Sequence, residues 1–124
     1  MEYNSQRSVE KIKSIIGDDP QQVRELIEIF ISVIPGQLED FIRCINGDDL
    51  EHLNDRAHTL KPSFEVMGLV ELKEKVLTVQ ELARNHYDKS EMMEVADTIK
   101  EKLDVVLHSL KQYLEEQNPK RSHT

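Results

Sequence analysis

Apolar residues along this chain recur at alternating steps of three and four, with polar and charged residues between them. That period puts one side of a helix in a core and leaves the other side in water. The longest stripe is Val23, Ile27, Phe30, Ile34, Leu38, Phe41 and Ile45. It keeps its phase through Pro35-Gly36, which predicts one long helix kinked at the proline rather than two helices. Asn46-Gly47 ends it, and Asp48-Asp49 opens a helix whose stripe is Leu50, Leu53, Ala57, Leu60, Phe64 and Met67. Gly68 breaks that helix, and the next carries Leu69, Leu72, Val76, Val79 and Ala83. Asn85 to Asp88 read as a turn. A last helix, opening near Asp88 or Ser90, sets Met92, Ala96, Ile99, Leu103, Val106, Leu110 and Tyr113 on one face and stops at Asn118-Pro119. Ahead of all four lies a shorter segment, Ser8 to Ile16, with Val9, Ile12, Ile15 and Ile16. Gly17 stops it, and Asp19-Pro20 supplies a cap and a first-turn proline for the long helix that begins there.

No segment has the period of a strand. Four long amphipathic helices with short connections predict an all-α fold, an antiparallel four-helix bundle with the short N-terminal helix across one end. Residues 1–117 are expected to form this single domain, and 118–124 a disordered tail. A length of 124 residues suits one core.

Composition then removes several classes of function. With four glycines and no GxxxxGK[ST] or GxGxxG pattern, an ATP or dinucleotide site is not expected. A net charge of −8 opposes binding to nucleic acid. The single cysteine, Cys44, excludes an internal disulfide and a cysteine-rich zinc site, and reads as a small buried apolar residue. The longest apolar-leaning run, Ile29 to Ile34, is too short to span a bilayer, and no signal peptide opens the chain. No membrane association is expected, and the expected location is the cytoplasm.

Chemistry concentrates in the segment AHTLKPSFEVMG, residues 57–68. His58 lies roughly 130° from the centre of its helix's apolar stripe, so it faces outward. Glu51, Asn54, Asp55, Lys61, Pro62 and Glu65 share that side. An exposed neutral imidazole can accept a phosphoryl group, and a lysine one turn on can offset the incoming charge. A solvated histidine beside a solvated lysine has the same spacing, so position alone leaves both readings open. Asp49-x-x-His52 and Asp55-x-x-His58 pair a carboxylate with an imidazole, but both sit on one helix, and no metal is expected. His86, His108 and His123 have no constellation around them.

The segment resembles the signature of histidine phosphotransfer (HPt) domains, approximately A-H-x-L-K-G-x-x-x-x-x-G. The resemblance implies that His58 is the phosphoacceptor, that Lys61 assists the phosphoryl group and that Gly68 is the closing glycine; Ser63 fits a small or polar position. It extends as an arrangement over roughly residues 8 to 115. Gln80 stands 22 positions after His58, where the family often carries a glutamine that supports the imidazole, and Arg84 matches a basic residue one turn further on. Pro62 departs from the family, which usually has glycine there. Proline lacks an N–H, so the His58 carbonyl loses its intrahelical donor, and a bend there projects His58 outward.

The implied function is that of a phosphorelay intermediate rather than a free-standing catalyst. It takes a phosphoryl group from a receiver-domain aspartate onto His58 and passes it to a second receiver. The implied partners are response-regulator receiver domains, such as that of a hybrid sensor kinase. The chain is expected to be a monomer with no kinase activity and no cofactor of its own, Mg²⁺ being carried by the receiver. One alternative is the dimerisation domain of a sensor kinase, whose segment resembles H-E-L-R-x-P. Thr59 replaces its acid, the ATP-binding lobe is missing, and such a domain must dimerise. Another is a helical adaptor without chemistry. For docking, the long helix from Pro20 has a broad apolar arc, with Leu26, Ile31, Val33, Ile42 and Cys44 beside its stripe. Val9 and Ile15 are expected to cover part of it, leaving Ile12 and Ile16 at the rim of the bundle to meet the receiver. The competing expectation is that Ile12 and Ile16 seal the core.

Overall fold

In the computed structural model, which describes residues 3–85 and 87–117, the described residues form five α-helices and no strand. These are α1 (Ser5–Ile16), α2 (Pro20–Asn46), α3 (Leu50–Val66), α4 (Val70–Asn85) and α5 (Lys89–Glu116). His86, His123, the Asn118-Pro119 stop and the tail expected at 118–124 lie outside the described residues.

Short polar side chains start four of the helices by taking an otherwise unpaired N–H of the first turn. Asn4 accepts from the Gln6 N–H, Asp19 from Gln21, Asp49 from His52 and Asp88 from Glu91. Because Asn4 rather than a later residue caps α1, that helix begins at Ser5 instead of Ser8. Both internal prolines are accommodated: α2 is helical on each side of Pro35, and α3 on each side of Pro62.

Helix α2 packs on α3, α3 on α4, α4 on α5, and α5 returns to α2, while α1 touches α2, α3 and α5. The core takes the stripes read from the sequence, including Ile27, Ile34, Phe41, Leu53, Leu60, Phe64, Val76, Ile99 and Leu110. The ends of the stripes differ. Leu50 is 38% exposed, because it begins its helix at the edge of the core. Ala83 and Tyr113 are only partly buried. Cys44 is half-buried rather than fully enclosed. No helix among the described residues is long and apolar enough to cross a membrane.

One fully buried polar side chain sets how α1 lies. The Ser8 hydroxyl donates to the Met67 carbonyl at 2.7 Å and lies 2.5 Å from the Tyr3 hydroxyl. This contact turns Ser8, Val9 and Ile12 inward over the connection between α3 and α4. The placement of Ile12 at the rim is therefore corrected: Ile12 is completely buried, while Ile15 is 53% and Ile16 39% exposed. All three share one helical face by angle. The difference is longitudinal, since the last turn of α1 overhangs the core. Arg7 adds an ion pair to Glu71 at 3.2 Å beside the same connection.

The connections before α3 and before α5 are tied to each other. The Tyr87 hydroxyl donates to Asp48, and the Lys89 ammonium reaches the Asn46 carbonyl at 2.8 Å. Asp48 and Tyr87 both have positive φ, 55° and 45°. The Tyr87 hydrogen bond, then Lys89, holds the Asp48 carboxyl below its ordinary pKa.

The Ser8 contact yields a stability prediction. Ser8→Ala leaves the Met67 carbonyl buried without its donor, a loss of about 1–3 kcal/mol. Urea unfolding should show a lower midpoint at unchanged slope, with the helical circular dichroism of the native state retained.

Candidate functional site

Leu53, Ala57, Leu60 and Phe64 bury one face of α3, which turns His58 outward and sets Asn54 and Lys61 on the flank beside it. At 100° per residue these three fall within an arc of about 60°. His58 is exposed, and no hydrogen bond or ion pair ties it to another described residue. Its root is nevertheless rigid, because Ala57 and Leu60 are fully buried on either side of it.

Helix α4 supplies the second half of the arrangement. The half-buried Lys61 ammonium donates to Gln80 Oε1 at 2.9 Å, and Gln80 Nε2 donates to Asn54 Oδ1 at 3.3 Å. An ammonium can only donate, so the Gln80 carbonyl must face Lys61 and its NH₂ must face Asn54. Asn54 and Lys61 are about two turns apart, with His58 between them, so Gln80 spans the level of the imidazole. Lys61 makes no ion pair with a carboxylate among the described residues. The result is an exposed imidazole beside a positioned, uncompensated positive charge.

Gln80 and Arg84 lie at successive turns of α4, as their spacing implies. Gln80, expected to support the imidazole, instead has its amide engaged at both ends by Lys61 and Asn54. Arg84 is exposed one turn further along α4 and has no hydrogen bond or ion pair among the described residues. Asn54 is the residue that sequence reasoning left without a role. Its position one turn before His58, on the same face, was the available signal.

Past His58 the helix leans on α2. Pro62 is exposed, and the Ser63 hydroxyl lies 3.1 Å from Gln37 Oε1 and 3.3 Å from the Thr59 carbonyl. Beside this contact runs a groove of about 250 Å³, lined chiefly by Leu26, Ile29 and Val33 of α2 and Pro62 and Val66 of α3. Ile29 is 57% and Val33 45% exposed. Helix α1 therefore does not supply the cover expected for α2 along this groove.

The remaining candidates have structural explanations. His52 Nδ1 lies 2.7 Å from Asp49 Oδ2, the carboxylate that caps α3. Among the described residues no three His, Cys, Asp or Glu side chains are grouped to hold a metal. Burial, then the neighbouring Asp49 charge, pushes the Cys44 thiol pKa up, away from nucleophilic behaviour.

The family model described as the Hpt domain matches residues 25–118. That span holds Asn54, His58, Lys61, Gly68 and Gln80 and leaves α1 outside. Nothing matches the chain among curated proteins or among solved structures.

Gly68 is where the matched span meets α1. It has φ of +69°, and a Cβ there would lie 3.3 Å from Lys11 Cβ. Gly68→Ala should lose about 1–2 kcal/mol from the left-handed backbone alone. A thermal melt should show that loss. In a Lys11→Gly background, measured against Lys11→Gly alone because glycine itself costs about 1 kcal/mol inside a helix, Gly68→Ala should lose only the backbone part.

Proposed function

The chain belongs to the Hpt domain family, and from that premise we propose that His58 is the residue that carries the phosphoryl group. Hpt domains act in histidine phosphotransfer in two-component phosphorelays and interact with receiver domains of response regulators. The observation that carries the assignment is the exposed imidazole beside an ammonium with no carboxylate partner among the described residues.

The transfer needs no redox change. The lone pair of the unprotonated ring nitrogen attacks phosphorus in the receiver's aspartyl phosphate. An N–P bond forms as the P–O bond to the aspartate breaks, and the carboxylate leaves with the electron pair. The proton on the other ring nitrogen passes to solvent. Lys61 uses one N–H on Gln80, which leaves two for phosphoryl oxygens as negative charge arrives. Attack by a second receiver's aspartate reverses these steps and clears His58. The chain's own contribution is placement and charge, not chemical activation.

The apolar groove of Leu26, Ile29, Val33, Pro62 and Val66 supports docking of the receiver there, because Pro62 is one turn from His58 and an apolar centre suits a transient interface. Ile12 is excluded from docking by its burial, and Ile16 is kept as an outlying contact. Three residues separate each helix from the next, which supports an antiparallel four-helix arrangement with α1 across one end. Closure of that ring within one chain favours a monomer over the sensor-kinase dimerisation domain.

Incubation with a phosphorylated receiver should put acid-labile label on this chain, and His58→Gln should abolish it with helicity unchanged. Lys61→Ala should slow transfer about 10- to 100-fold, the range of one hydrogen bond to a charged group. Label on the His58→Gln protein, or labelling by ATP alone, would show the mechanism to be wrong.

Docking is tested separately. Ile29→Asp or Val33→Asp should weaken receiver binding at least about tenfold while the melting temperature barely moves, since both residues are already exposed. Unchanged affinity in both variants moves the interface elsewhere.

A further inference from the structure

We propose that Asn54 is a positioning residue for transfer at His58: its side-chain carbonyl orients the Gln80 amide, and through it the Lys61 ammonium. The role in transfer rests on the phosphotransfer reading above, but the hydrogen-bond chain does not.

The argument begins with what Asn54 fails to do locally. It sits inside α3, where asparagine is a poor helix former compared with alanine. It does not cap the helix, because Asp49 does. Its side chain is exposed and buries nothing. Its hydrogen bond to a described side chain is the one from Gln80, on another helix.

That bond matters because a glutamine amide has two orientations. Turned the other way, Gln80 would present its NH₂ to the Lys61 ammonium, donor against donor, and the lysine would lose its anchor. An acceptor at Asn54 Oδ1 favours the orientation in which Gln80 Oε1 faces Lys61. Lysine is a flexible chain whose ammonium wanders unless held. Asn54 therefore fixes the charge from two turns away without touching it. The uncharged amide also suits the place. An aspartate at position 54 would accept the same bond but would add a second carboxylate to Asp55 one turn from His58.

Two measurements on the full chain decide the matter. In the NMR spectrum of the unphosphorylated protein, Asn54→Ala should shift the Gln80 side-chain amide signals and speed their exchange with water. The Gln21 amide, bonded to Glu25 at 3.2 Å, should not change. In receiver-dependent labelling, Asn54→Ala should slow transfer about two- to tenfold, the range of one neutral hydrogen bond, and Gln80→Ala, which also removes the acceptor of the Lys61 ammonium, by at least as much. The double variant should be no slower than Gln80→Ala, because both substitutions break one chain of contacts. Asn54→Ala should also melt no lower than the wild type, a combination that a merely structural role would not give.

Unmoved Gln80 signals overturn the proposed chain of bonds. Altered signals with a wild-type rate, or rate losses that multiply in the double variant, overturn the positioning role alone. If the wild-type chain takes no label from any phosphorylated receiver, the phosphotransfer reading fails and takes that role with it, while the amide measurement still decides the hydrogen bonds.

Discussion

Helix α3 cannot turn about its own axis, because Leu53, Ala57, Leu60 and Phe64 are all fully buried. Each large side chain among them is worth about 1.5–3 kcal/mol in burial, and rotation by one residue would draw them out together while pushing His58 toward the core. The outward direction of Asn54, His58 and Lys61 results from that penalty. So does the approach of α4, whose Gln80 meets two of those three residues at fixed separations. Apolar packing on one side of a helix thus determines the polar geometry on the other.

Much of this was legible in the residues themselves. The stripe from Leu53 to Met67 identifies the inner face of α3, and simple angular arithmetic then puts His58 outside and Lys61 one turn away. The aspartates before α2, α3 and α5 were readable as starts because their chemistry is local. Relations between helices were not legible in the same way. Period says which face is buried but not how far a partner slides along it. Ile12 and Ile16 share a face, so only the seat of Ser8 on Met67 reveals that one is covered and the other overhangs.

The amide of Gln80 is a subtler case. A glutamine level with a histidine suggests a bond between them, and nothing in the linear sequence argues otherwise. Its partners are set by the depth of Lys61, whose stem lies along the surface of α3 with its head reaching α4. Pro62 shows the opposite outcome. A proline in a helix suggests damage, yet α3 continues to Val66. Pro62 is exposed, on the watered side of the helix, where the carbonyl left without a donor can be solvated instead.

The Lys61 ammonium, held by Gln80 but by no carboxylate among the described residues, has a consequence for which phosphate the proposed site can receive. The chain carries a net charge of −8. Glu65 is paired with Lys73 at 3.1 Å, whereas Glu51 and Asp55 are exposed on the helix that carries His58. Within a screening length of about 8 Å in physiological salt, these carboxylates repel a free dianion approaching from solution. A phosphoryl group held by a docked protein is brought through that field by contacts made elsewhere, and meets the ammonium at close range. The acidic surround and the single positioned cation together act as a filter on the mode of delivery. With His58 as the proposed phosphoacceptor, this field disfavours inorganic phosphate drifting in the solvent relative to phosphate carried on a partner.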